Sequence, residues 1–201
     1  MNNLIERYIT FRTCYIFVIV GAISPAFFLP IVIIFSQVHY YIGIIGKFML
    51  FILNLYIYAG FIKYSFIVNE RKFRKIMAIV IILSVINLIL SFFQVMLPFK
   101  ASIILFLPVG LLLFYGFRLI RNAESVFFSK LSKLTLSLLI VGILITIGMG
   151  LLEKTKSEIW LALVIPCSLA GFYVVVSFVY WEFKLFRHLH FQYEKVAPTV
   201  K

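Results

Sequence analysis

Residues 76–97 read IMAIVIILSVINLILSFFQVML, without one charged side chain. A helix needs roughly 20 mainly apolar residues to cross the hydrocarbon core of a bilayer, so the stretch is long enough to span. It has no Pro or Gly to punctuate a soluble fold. The chain around it repeats the pattern. Comparable runs occupy about 14–36, 42–62, 101–120, 134–152 and 159–181, which gives six predicted spans with 76–97 as the third. Lys47 falls inside the second run, where a long side chain near a helix end reaches back to the headgroups.

Composition fixes the solvent. Of 201 residues, 64% are hydrophobic and only 13% charged, whereas a soluble domain is about half apolar and a quarter charged. One water-soluble core cannot enclose that much apolar surface, so the predicted class is an all-α polytopic integral membrane protein. The first run follows Arg7 and Arg12 as a signal sequence would, but it continues well past the usual 7–15 apolar residues. It is predicted to be an uncleaved first helix, kinked at Pro25 and Pro30.

Charge sets the predicted topology. With six spans, 15 of the 19 Lys and Arg fall with the N-terminus, the 63–75 and 121–133 connections and the tail; Lys47, Lys100, Lys154 and Lys156 fall on the other side. Short loops rich in Lys and Arg stay cytoplasmic. The expectation is three hairpins (spans 1–2, 3–4 and 5–6) with both termini inside, in the plasma membrane of a bacterial or archaeal cell. The net charge of +12 is then mainly a topology signal. Its default partner is anionic headgroups, with about 1 kcal/mol per nearby Lys or Arg. Nucleic-acid binding is not expected, because the cations are divided among four short segments without a readout surface. The predicted contacts with cytoplasmic lipid or a protein partner are Arg71, Lys72, Arg74 and Lys75, and, on the tail from 182 to 201, Lys184 and Arg187. That tail is predicted to be partly helical, to about Lys195, and Pro198 ends any helix. Trp160 and Trp181 bracket span six 21 residues apart, or about 31 Å of helix at about 1.5 Å per residue. That separation suits indoles at both interfaces.

Two patterns within the spans are candidate sites. Ser84, Asn87, Ser91 and Gln94 are spaced 3, 4, 3 and form one stripe on span three, with Asn54 of span two as a possible partner. An unsatisfied amide in hydrocarbon costs several kcal/mol, so the stripe should avoid lipid. The favoured reading is a hydrogen-bonded helix interface; the alternative is a polar path. Gly142, Thr146 and Gly150, at four-residue spacing on span five, form a small-residue face for close helix approach, within the chain or between chains. Pro108 in span four and Pro166 in span six, beside Cys167, Ala170 and Gly171, could break their helices as in transporters. Gly60, Phe61, Lys63, Asn69 and Glu70 resemble Gly116, Phe117, Arg118, Asn122 and Glu124; shared membrane-boundary chemistry is favoured over duplication.

Catalytic chemistry is hard to place. The chain has no Asp, and its seven Glu lie at or beyond the ends of the apolar runs. His188 and His190, two apart, point about 200° from each other on a helix, a poor zinc spacing, and His39 lies on the other side. Cys14 and Cys167 sit in apolar runs, so no disulfide framework is expected. No cofactor or metal is predicted. The leading expectation is a non-enzymatic membrane subunit of a larger transport, export, signalling or defence assembly, as a homo-oligomer or with a protein partner. The alternative is a small stand-alone transporter or channel with its path along span three.

Overall fold

The structure is a computed structural model that describes residues 10–20, 39–93 and 100–196. The described residues form six helices: α1 (Thr10–Val20), α2 (His39–Ile67), α3 (Arg71–Phe93), α4 (Lys100–Leu119), α5 (Ser125–Thr155) and α6 (Leu161–Val196), with a short 3₁₀ turn at Glu158–Trp160. No strand occurs among the described residues. An apolar chain in lipid must satisfy every backbone group locally, which helices do. Among the described residues, three segments are long and apolar enough to cross a membrane: Arg71–Leu90, Ser125–Leu152 and Leu161–Gln192. Among the described residues, Thr10–Val20, Phe51–Ile67 and Leu107–Leu119 are further apolar helical segments. Pro25, Pro30, Gln94 and Pro198 lie outside the described residues.

The helices run further than hydropathy alone implies. α2 continues to Ile67 and α3 begins at Arg71, so the connection predicted over 63–75 shrinks to Val68–Glu70. Asn69 makes that turn possible with a left-handed φ of 57°, a conformation that Asn tolerates better than most residues. Glu70 N–H donates to the Ser65 carbonyl at 3.0 Å, closing a Schellman-type cap. Arg74 N–H then donates to the Glu70 carbonyl at 3.1 Å and starts α3. The 121–133 connection shrinks likewise to 120–124. At the opposite end Lys156, with φ 52°, caps α5 through its N–H to the Leu152 carbonyl. The Trp160 indole N–H donates to the Thr155 hydroxyl at 3.0 Å. Pro108 and Pro166 break neither helix: α4 and α6 are continuous through them. Adjacent turns and neighbouring helices can absorb the one backbone bond that each proline removes.

Consecutive helices pack side by side, and α1 closes against α2 and α6. The core is not spread evenly along the bundle. It lies at the end carrying the 68–70 and 120–124 connections, here the basic end. Phe61 of α2, fully buried, is its hub. Its ring lies 6.3 Å from Phe73 of α3, 5.3 Å from Phe117 of α4, 6.0 Å from Phe128 of α5 and 5.1 Å from Phe186 of α6. Phe11 of α1 stacks on Phe186 at 6.3 Å. One aromatic cluster thus joins all six helices. Away from it packing thins: in the most apolar windows of α3, α5 and α6 only 22%, 17% and 11% is buried within the chain. Leu169, Phe172 and Tyr173 of α6 stand exposed there. Apolar surface of that extent needs lipid or another chain to cover it.

Candidate functional site

The polar groups that the chain buries gather around the same aromatic cluster. Tyr64 sits one turn beyond Phe61 and is 1% exposed. Its hydroxyl donates to Glu124 Oε2 at 2.9 Å and accepts from Asn122 Nδ2 at 2.7 Å. The 120–124 connection is thereby pinned to the end of α2, and Glu124 is turned into the protein. On α6, Glu182 is buried on the face that shares an electrostatic neighbourhood with Cys14 of α1 and Tyr58 of α2. Its place at the end of an apolar run gave no hint of that burial. His190 is buried with its ring 5.4 Å from Tyr15, while His188 is exposed, 5.3 Å from Phe127 and 2.9 Å from the Gln192 amide. Among the described residues no three of His, Cys, Asp and Glu gather as a metal ion would require.

The span-three stripe is described only in part. Ser84 and Asn87 are half-buried on α3, and Ser84 neighbours Tyr58 of α2. Ser91 lies in the last turn of α3, Gln94 lies outside the described residues, and Asn54 is exposed. On α5, Gly142 and Thr146 are half-buried and Gly150 is exposed. The Thr146 hydroxyl donates to the Gly142 carbonyl at 2.8 Å. A Cβ at Gly150 would meet nothing within 4 Å. The close approach of α5 to α6 falls on Gly148 instead, where an added Cβ would come 2.7 Å from Val164.

The predicted basic contacts occupy the rim of the basic end. Arg71, Lys72 and Lys75 are exposed in the first turns of α3. Arg74 places its guanidinium 3.4 Å from the centre of the Phe66 ring and donates through Nε to Ser65 Oγ at 3.4 Å. On α6, Lys184 lies 5.0 Å from the Trp181 ring and Arg187 5.5 Å from Phe191, both exposed. Such cation–π contacts contribute about 0.5–1 kcal/mol at exposed sites.

Sequence reasoning did not bring a second basic group together in one place. Arg118 at the end of α4 and Arg121 in the 120–124 connection, with Lys130 and Lys133 on α5, line a cavity of about 740 Å³ between the two helices. Lys130 and Lys133 have i, i+3 spacing and share a face of α5. That was the available signal; the convergence of the two pairs depends on how tightly the 120–124 connection folds. Comparison with family models, curated proteins and solved structures finds no match.

Proposed function

We propose that the chain is a non-enzymatic integral membrane subunit of a larger assembly for transport, export, signalling or defence. It would cross the plasma membrane six times as three hairpins, with both termini cytoplasmic, and use no cofactor. The asymmetry of Lys and Arg supports the topology. Length supports the placing of the aromatic cluster at the cytoplasmic interface. α5 has 31 residues and α6 has 36, or about 46 and 54 Å at about 1.5 Å per residue. The hydrocarbon core is only about 30 Å thick, so their basic ends reach past it.

The observation that carries the subunit reading is the exposed Gly150 at one end of the small-residue face of α5. The intrachain contact is made through Gly148, which leaves Gly150 open to a second copy or a partner helix. Small residues favour such approach in lipid. The nearness of Ser84 on α3 to Tyr58 on α2 supports helix glue over a stand-alone transport path. The test is the mass of the protein purified in mild detergent. The expected particle is larger than a monomer and reverts to a monomer on Gly150→Leu. A wild-type particle that is strictly monomeric, with no second protein, overturns the reading.

A further inference from the structure

We propose that the cleft between α4 and α5 at the basic end binds a phosphate group, the chemistry shared by membrane phospholipid headgroups and free phosphate. Arg118, Arg121, Lys130 and Lys133 line one cleft, and all four are exposed. No carboxylate is among the described residues that line it. The one acid of the adjoining connection, Glu124, is held in the core by Tyr64. Four cations brought together without an acid repel one another, and an anion relieves that repulsion. Arg supplies a planar fork that matches phosphate oxygens, and Lys a mobile point charge.

The walls hold the group in place. Ser132, 2% exposed, donates to the Phe114 carbonyl at 3.2 Å and ties α5 to α4. Arg118 is steadied 5.5 Å from the Phe114 ring and Lys130 5.9 Å from Trp181. Basic pockets between membrane helices on the cytoplasmic side suit anionic headgroups. Phe114 and Leu136 line the part of this cleft that lies within the predicted spans, where an acyl chain would run. That lipid arm rests on the membrane reading above; the phosphate arm does not.

The test uses the full chain in neutral detergent, titrated with phosphatidylglycerol, phosphatidylcholine and inorganic phosphate, with binding read by native mass spectrometry. Phosphatidylglycerol should bind roughly tenfold or more tighter than phosphatidylcholine, and K130Q/K133Q should weaken it by a similar factor. K130R/K133R should retain binding. R71Q/K72Q removes the same charge at the other connection and should change binding by less than about threefold. Competition by inorganic phosphate at equal affinity assigns the site to a soluble phosphate; its failure to compete assigns the site to lipid. Equal losses in K130Q/K133Q and R71Q/K72Q, or no binding of either probe by folded, monodisperse protein, overturn the proposal. Failure of the membrane reading would appear separately, as release of the chain from membranes by alkaline wash.

Discussion

Tyr64 and Glu124, 60 residues apart in the chain, meet through a 2.9 Å hydrogen bond at the basic end. The bond joins the end of α2 to the start of α5 and turns the carboxylate away from the neighbouring basic cleft. Tyr64→Phe removes the donor to Glu124 and the acceptor for Asn122 together. A buried polar group left without its partner costs about 1–3 kcal/mol. The variant should therefore unfold at lower denaturant, by an amount of that order, in a detergent titration. In a double-mutant cycle, Glu124→Gln should lose much less in the Tyr64→Phe background than in wild type.

Phe61 contacts aromatic rings from four other helices, whereas Phe172 is 71% exposed. Phe61→Ala should cost about 3–5 kcal/mol. Phe172→Ala should stay within about 0.5 kcal/mol. Equal effects in the same unfolding assay would show that stability is spread along the bundle rather than concentrated at the basic end.

These two residues also show what the sequence made legible. Span three was readable because 22 uncharged residues permit little besides a buried or membrane helix. The ends of α2 and α5 were not, because charge marks where lipid stops, while backbone hydrogen bonding continues into Ile67 and begins at Ser125. Boundary chemistry accounts for the resemblance between the Gly60–Glu70 and Gly116–Glu124 stretches in sequence. In the fold Phe61 and Phe117 also pack together at 5.3 Å. The Arg118, Arg121, Lys130 and Lys133 cleft needed tertiary structure, since the i, i+3 spacing of Lys130 and Lys133 fixes a face of α5 but not what that face meets.

Gly60 and Gly150 should respond oppositely to added bulk. A Cβ at Gly60 would lie 2.5 Å from Cys14 Sγ and 3.1 Å from the Phe186 ring. Gly60→Ala should therefore destabilise by about 1–3 kcal/mol through overpacking. Gly150→Ala meets open space and removes a helix-weakening glycine, so monomer stability should hold or rise by up to about 1 kcal/mol. Gly150→Leu should also leave the fold intact while dissociating the assembly, as size-exclusion chromatography with light scattering would report.

The central claim is that the chain crosses the membrane six times with its basic end inside. Single cysteines placed in a cysteine-free background test this most directly, by labelling intact cells with a membrane-impermeant maleimide. Lys156→Cys should label in intact cells, while Lys75→Cys, Lys130→Cys and Glu194→Cys should label only after permeabilisation. Labelling of Lys130→Cys or Glu194→Cys from outside, or of Lys156→Cys only after permeabilisation, would contradict the account.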